Sequence, residues 1–208
     1  MAIRAVMFDF GGVISSSPFE AFAHFEATHG LPSGFIRTVN STNPNDNAWA
    51  RLERGEVDVA TFGALWSVEA GALGHEVDGR RVLEQLAGEL RPRMVEAIRI
   101  CGTAYKTACL TNNFVSAEAD LSDAVAAVYA LFDVVLESRV LGVRKPDPRF
   151  YELACEAVGV RPEESVFLDD LGINLKPARA LGMLTIKVVD PDEAIGELEK
   201  VLGLNLTA

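Results

Sequence analysis

Histidine and cysteine are scarce in this 208-residue chain, with three of each. Cys101, Cys109 and Cys155 are odd in number, lie in apolar surroundings and lack the spacing of metal ligands. We therefore expect buried free thiols rather than a disulfide framework or a zinc site. The spacing of the three histidines does not pair them with a nucleophile or with metal ligands, so we expect surface or helix-end positions for them.

Long hydrophobic runs and basic residues are also in short supply. No apolar run approaches the ~20 residues that cross a bilayer, and the N-terminus lacks the pattern of a secretion signal. The chain has 19 basic and 30 acidic residues. The resulting net charge of -11 opposes binding to nucleic acid or anionic membranes. We expect a cytoplasmic protein with neither partner, whose phosphate site, if it has one, needs local cations or a metal.

Apolar residues make up 49% of the chain, which is enough to bury a core. In its second half, short apolar runs alternate with helical stretches, which is typical of a doubly wound, mainly parallel sheet. The predicted strands are Ala2 to Phe10, Lys106 to Thr111, Val134 to Glu137, Ser165 to Asp169 and Leu184 to Val189. The predicted helices between and after them are Pro148 to Val158, Leu175 to Leu181 and Pro191 to Leu202, each followed by a glycine.

The stretch from residue 15 to residue 90 has helical periodicity without strand-like runs. We interpret it as a small helical cap inserted into a Rossmann-like core formed by residues 1–14 and 91–208. The insertion begins directly after the first strand, where a lid over the edge of the sheet would be attached. Trp49 lies in this stretch, and we expect it to pack within the cap.

Three polar side chains each close a strand-like run. Asp9 is followed by Gly11 and Gly12, and Thr111 and Asp169 end two later strands. Because ligands bind beyond the carboxyl ends of parallel strands, these residues should face one crevice. Asp9 suits nucleophilic attack, Thr111 suits holding a phosphoryl oxygen, with Asn112 beside it, and Lys145 suits neutralising both reacting groups.

The pair Asp169-Asp170 indicates a metal. Two like charges ~4 Å apart cost about 4 kcal/mol at an effective dielectric constant near 20. A bound cation would offset the repulsion between these two carboxylates and Asp9, and Mg²⁺ is the usual cation in phosphate chemistry. An isolated Asp-Asp is otherwise an ordinary cap or turn; Asp9 and Lys145 elsewhere in the chain favour the metal.

In order and residue type, these four pieces resemble the motifs of the haloacid dehalogenase superfamily. The run from Phe167 to Arg179 is especially similar to the N-terminal phosphatase domains of soluble epoxide hydrolases and their bacterial relatives. The resemblance implies a Rossmann-like core with an inserted helical cap. It implies Asp9, Thr111 and Lys145 as catalytic residues, and Gly12, Thr111, Asn112 and Lys145 as the phosphate site. It also implies Mg²⁺ held by Asp9, the main-chain carbonyl of Gly11 and Asp170.

One position departs from the family pattern. Phosphatases of this family usually carry a second Asp two positions after the nucleophile, as the general acid and base, and this chain has Gly11 there. Such a group typically contributes 10²–10⁴ in rate. A cap residue or water could replace it, substrates with good leaving groups could do without it, or turnover could have been lost.

The function we predict is a Mg²⁺-dependent phosphatase for a small phosphorylated metabolite, working through an aspartyl-phosphate on Asp9. Two alternatives stay open: a dehalogenase that uses Asp9 on a carbon–halogen bond, and a binding or regulatory protein that keeps the fold. A dinucleotide-binding module fits poorly, because Gly11-Gly12 lacks the three-glycine pattern. The spacing of the motifs does not identify the substrate, and it leaves open whether the chain forms a homodimer.

Overall fold

The computed structural model describes residues 2–86, 88–113 and 122–206. Its centre is one five-stranded sheet in which every neighbouring pair of strands is parallel. The strands are β1 (Ala5–Phe8), β2 (Lys106–Thr111), β3 (Val134–Glu137), β4 (Ser165–Asp169) and β5 (Leu184–Lys187). Their order is β3-β2-β1-β4-β5, so the chain reverses its direction of growth at β1. A crevice is expected at the carboxyl ends of the strands beside such a reversal.

Between β1 and Leu90 the described residues form five α-helices. They are α1 (Pro18–Thr28), α2 (Phe35–Ser41), α3 (Ala48–Glu53), α4 (Val59–Ala72) and α5 (Gly79–Leu83). Side chains that accept hydrogen bonds from first-turn amides begin four of them, at Ser17, Asn47, Asp58 and Asp78. These helices enclose an apolar cluster of their own, centred on Phe62 and Trp66.

Two connecting segments join this helical region to the sheet. Ser15 and Leu90 form an antiparallel bridge, and the Arg91 amide donates to the Ile14 carbonyl at 2.8 Å. The chain therefore leaves the sheet and returns to it along adjacent paths, one of which begins directly after β1.

Six further helices cover the sheet. They are α6 (Pro92–Cys101), α7 (Asp123–Tyr129), α8 (Ser138–Leu141), α9 (Pro148–Val158), α10 (Gly172–Ala180) and α11 (Pro191–Leu202). Alternate residues of β1 point to opposite faces. Val6 and Phe8 pack with residues of α6 and α11, whereas Ala5 and Met7 pack with residues of α9 and α10. Burial on both faces explains why the strands read as continuous apolar runs.

The predicted architecture is confirmed, with differences at element ends. β1 is shorter than the predicted Ala2 to Phe10, because pairing with β4 runs from Ala5 to Phe8. β5 ends at Lys187 rather than Val189. Helix α10 begins three residues before the predicted Leu175 and has no side-chain cap that a sequence pattern could reveal.

Within the described residues, the three cysteines are free and buried, as expected. Trp49 packs inside the helical region, with its ring centre 6.2 Å from that of Phe22 and 5.9 Å from that of Phe62. None of the helices formed by these residues has the length and apolar character needed to cross a bilayer.

Candidate active site

The carboxyl ends of β1 and β4 bring three carboxylates together. Oxygen atoms of Asp9, Asp169 and Asp170 all lie within 4.8 Å of one another. Asp9 directly follows β1, and Asp169 is the last residue of β4. The parallel register, which pairs Phe8 with Leu168, places these two acids side by side.

Lys145 lies among these acids and is 1% exposed. Its Nζ is 2.8 Å from Asp9 Oδ1 and 2.9 Å from Asp169 Oδ2. Burial alone would lower the pKa of Lys145, but the carboxylates of Asp169 and Asp9 raise it above its ordinary value. These contacts favour the charged ammonium form of the lysine, which links the ends of the two strands.

Asp169 is the fully buried anchor of the group. Besides Lys145, it accepts hydrogen bonds from the Asn174 side-chain amide at 3.0 and 3.1 Å and from the Leu171 amide at 2.8 Å. Its lone pairs are thus engaged within the protein, which fixes the position of the Lys145 ammonium. Sequence reasoning did not single out Asn174, although it lies one helical turn after the acidic pair.

Among the described residues, Asp9 and Asp170 have fewer hydrogen-bond partners than Asp169. Asp9 Oδ1 accepts from the Phe10 amide at 2.6 Å as well as from Lys145. Burial raises the pKa of Asp9 well above its ordinary value, and attraction to Lys145 offsets that only in part. Burial and the neighbouring Asp169 raise the pKa of Asp170 to about 6.

The charge of this group favours a divalent cation. With all three carboxylates ionised, one ammonium would leave two negative charges uncompensated in a mostly buried space, a state that the raised pKa values of Asp9 and Asp170 disfavour until a cation binds. Carboxylate oxygens, with main-chain carbonyls and waters, are the ligands that Mg²⁺ prefers. The donor set therefore fits Mg²⁺, which would compensate both charges.

The two glycines after Asp9 differ in what surrounds them. Gly12 has a φ of +76°, and a Cβ placed there would lie 2.3 Å from Asp170 Oδ2. Gly12 thus lets the loop lie directly against Asp170, as only glycine can. Among the described residues, no heavy atom lies within 4 Å of a Cβ added at Gly11. These residues give no steric reason for glycine at position 11.

Thr111 and Asn112 reach the same edge of the sheet. Thr111 is the last residue of β2 and is 7% exposed. The Asn112 side chain is engaged with Lys145, because its Nδ2 donates to the Lys145 carbonyl at 3.0 Å and its Oδ1 accepts from the Lys145 amide at 2.9 Å. Asn112 therefore holds the lysine loop, a role that sequence reasoning missed.

Two arginines and a glutamate complete the surroundings. Arg91 Nη1 donates to the Gly12 carbonyl at 2.5 Å and so holds the loop that follows Asp9. Arg144, next to Lys145, forms an ion pair with Glu53 from α3. Sequence analysis identified none of these three, since Arg91 lies 79 residues from Gly12 and Glu53 lies 91 residues from Arg144.

Comparison with known proteins identifies the family. The family model described as haloacid dehalogenase-like hydrolase matches residues 3–182. The chain belongs to this family. It is accordingly a hydrolase, and the resemblance seen in its motifs is confirmed.

Curated relatives agree with that assignment. The chain is 36% identical over 214 residues to "Acyl-CoA dehydrogenase family member 10" of Mus musculus, covering 98% of this chain and 19% of that protein. It is 32% identical to "Bifunctional epoxide hydrolase 2" of Sus scrofa, covering 99% of this chain and 40% of that protein. The chain thus spans about a fifth and two fifths of these two relatives. It is also 39% identical to a protein named as a phosphatase from Mycobacterium tuberculosis, covering 88% of this chain and 86% of that one.

Solved structures share the fold. A haloacid dehalogenase family enzyme of Bacteroides thetaiotaomicron, in complex with magnesium and inorganic phosphate, has a TM-score of 0.61 at 20% identity, covering 89% of this chain and 94% of that one. The L-2-haloacid dehalogenase PA0810 has a TM-score of 0.58 at 22% identity, with coverages of 93% and 87%. At these identities the likeness establishes the fold alone.

Proposed function

We propose that this hydrolase is a Mg²⁺-dependent phosphatase for a small phosphorylated metabolite. The observation that carries the proposal is the cluster of Asp9, Asp169 and Asp170 around Lys145, in which three acidic groups share one ammonium. The relative named as a phosphatase, which this chain matches over most of both lengths, supports the same chemistry.

In this proposal Asp9 is the nucleophile. The bonds from Phe10 and Lys145 both go to Oδ1, which fixes the plane of the carboxylate. We assign the attack to Oδ2, the oxygen that neither donor contacts. It forms a bond to phosphorus while the bond to the leaving-group oxygen breaks, and water then hydrolyses the aspartyl-phosphate. Charge on Asp9 is needed for attack, and Lys145 stabilises it there.

The remaining residues bind and orient the phosphoryl group. We assign phosphate contacts to the Thr111 hydroxyl, the Lys145 ammonium and main-chain amides near Gly12 and Asn112. Mg²⁺ held by Asp9, the Gly11 carbonyl and Asp170 would neutralise charge on the transferring group. The helical region, residues 15–90, would act as a cap that excludes water from the core formed by residues 1–14 and 91–208.

The lack of an acid at Gly11 predicts which substrates react. Without a proton donor, the leaving group departs as an anion, so acyl, glycosyl or aryl phosphates should react faster than alkyl phosphates. We therefore propose turnover biased toward good leaving groups.

The test is phosphate release from aryl, acyl, sugar and alkyl phosphates with and without Mg²⁺, with Asp9→Asn as the control. Turnover that needs both Mg²⁺ and Asp9 would support the phosphatase. Halide release from 2-haloacids without Mg²⁺ would instead indicate a dehalogenase. A folded protein that binds Mg²⁺ but turns over neither class would indicate a binding role.

A further inference from the structure

The Glu53 side chain, at the C-terminal end of α3, lies where the helical region contacts the sheet domain. Glu53 is 7% exposed. Its Oε1 accepts from the Trp49 indole at 2.9 Å, and its Oε2 accepts from Arg144 and lies 3.5 Å from Asn112 Nδ2. One carboxylate of the cap region thus contacts two residues beside the candidate active site.

Both of those residues hold Lys145. Arg144 directly precedes it in the chain, and Asn112 brackets it by bonding to both its amide and its carbonyl. The side chain of Lys145 in turn contacts Asp9 and Asp169. A continuous set of hydrogen bonds and ion pairs therefore runs from Glu53 to the nucleophile.

Other contacts at this place involve the same segment of the core. Ser138 Oγ donates to the Glu53 carbonyl at 2.5 Å, and Arg144 Nη2 donates to the Pro44 carbonyl at 2.9 Å. Gly55 has a φ of +71°, and a Cβ there would lie 2.8 Å from Arg139 Cγ. Residues 138–145, which lead into Lys145, are thus the part of the core on which this end of α3 rests.

We propose that Glu53 is a positioning residue that couples closure of the cap to the placement of Lys145. With the cap closed, Glu53 pairs with Arg144 and supports Asn112, so the lysine loop is fixed and its ammonium lies on Asp9. When the cap opens, the loop loses these partners and Lys145 is less precisely placed. The reaction is thereby favoured only when the cap covers the site. This coupling rests on the proposed phosphatase function.

Two variants on opposite sides of the contact test it. Glu53→Gln keeps the shape but removes the charge, and Arg144→Gln removes the partner while leaving the cap intact. We expect either to lower kcat for p-nitrophenyl phosphate about 10- to 100-fold, since small misplacement of a reacting group has effects of this size. KM should change less than about threefold, because the contacts assigned to the Thr111 hydroxyl and the main-chain amides remain.

Controls separate this effect from general loss of charge. Glu56→Gln removes a carboxylate in the same segment that pairs with Arg54 and Arg51 on the surface, and it should leave kcat unchanged. The double variant of Glu53 and Arg144 should be no slower than the worse single variant, because both changes break one interaction. Arg144→Lys, which keeps the charge, should recover part of the lost rate.

A second readout does not depend on activity. In ¹H–¹⁵N spectra, the indole resonances of Trp49 and Trp66 can be assigned with Trp66→Phe. Because Trp49 donates to Glu53 and not to Arg144, Arg144→Gln should shift the Trp49 resonance only if the ion pair exists in solution. The Trp66 indole, which donates to Asn40, should not shift.

The outcomes distinguish the two proposals. If the unaltered protein releases no phosphate, the phosphatase proposal fails and the indole resonance still decides whether the contact forms. If turnover requires Mg²⁺ and Asp9, but both variants match Glu56→Gln in kcat, the coupling is overturned and the phosphatase stands. An unshifted Trp49 resonance in Arg144→Gln would overturn the coupling in either case.

Discussion

Replacing Gly11 with Asp should give this protein the general acid that the family pattern has and this chain lacks. The position accepts a side chain, because no heavy atom of the part of the chain that the structure describes lies within 4 Å of an added Cβ. Gly11 is also absent from the glycines with positive φ, so an ordinary residue fits its backbone. Substitution there tests chemistry rather than folding.

The magnitude follows from two effects of the new carboxyl. General acid catalysis typically contributes 10²–10⁴ in rate, or about 3 to 5 kcal/mol of barrier. The new carboxyl would join an acidic group, and two like charges ~6 Å apart repel by about 3 kcal/mol at an effective dielectric constant near 20. That repulsion raises the pKa of the new carboxyl and keeps it protonated to higher pH, which suits an acid.

We therefore expect Gly11→Asp to accelerate the hydrolysis of alkyl phosphates by about 100-fold, the lower end of the usual range. Acyl and aryl phosphates should gain little, since their leaving groups depart without a proton. The assay is kcat/KM against the pKa of the leaving group, and Gly11→Asp should flatten that dependence.

Gly11→Asn is the matched control, because it has nearly the same shape and cannot transfer a proton. If Gly11→Asp, folded and able to bind Mg²⁺, is no faster than Gly11→Asn on alkyl phosphates, the reasoning is refuted. A residue elsewhere would then already supply the proton.

Three further predictions concern the charged cluster. Lys145→Met should abolish turnover and lower the free energy of unfolding by about 3 to 5 kcal/mol, because Asp9 and Asp169 lose their buried partner. The free energy of unfolding can be measured by urea titration, and a loss under about 1 kcal/mol would contradict this prediction. Gly12→Ala should displace Asp170 and weaken Mg²⁺ binding by at least about tenfold, roughly 1.4 kcal/mol, in calorimetry, whereas Gly11→Ala should not. Burial and Asp169 raise the pKa of Asp170 to about 6, above its unfolded value near 3.9. Without metal, the ionised carboxylate therefore destabilises the fold above pH ~6. That cost is relieved as the pH falls toward ~4, because the carboxyl becomes protonated in the folded state. The stability gained by Asp170→Asn in EDTA should therefore shrink between pH 8 and pH 5, and an unchanged difference would argue against the shift.

The parallel sheet could be predicted from sequence because its signal is local. Strands buried on both faces are uninterrupted apolar runs, and glycine ends the helices Pro148–Val158 and Pro191–Leu202 where it adopts positive φ. Element ends were less accurate where local chemistry gives no sign. Helix α10 starts without a side-chain cap and contains Pro177, so pattern alone placed its start too late.

The candidate site likewise contains some residues whose placement could be predicted from sequence and others whose placement could not. Asp9, Thr111 and Asp169 could be placed together because each closes a strand, and parallel strands end at one edge. The partners that hold Lys145 could not, since contacts between Asn112 and Lys145 or between Glu53 and Arg144 join residues 33 and 91 positions apart. Such contacts depend on how the helical region rests on the sheet, which periodicity does not encode.

The net charge of the chain and the ion pairs of its cations determine how an anionic substrate would be attracted to the site. As the proposed phosphatase, a chain with a net charge of -11 would have to draw an anionic substrate toward an acidic site. Lys145 is engaged by two carboxylates and Arg144 by Glu53, so neither cation is an uncompensated charge. In the proposed phosphatase, attraction of the phosphoryl group then depends on the divalent cation and on main-chain amides. The tightly paired lysine would act mainly by holding Asp9 in place, which is why its position, and the cap contact that fixes it, should affect kcat more than KM.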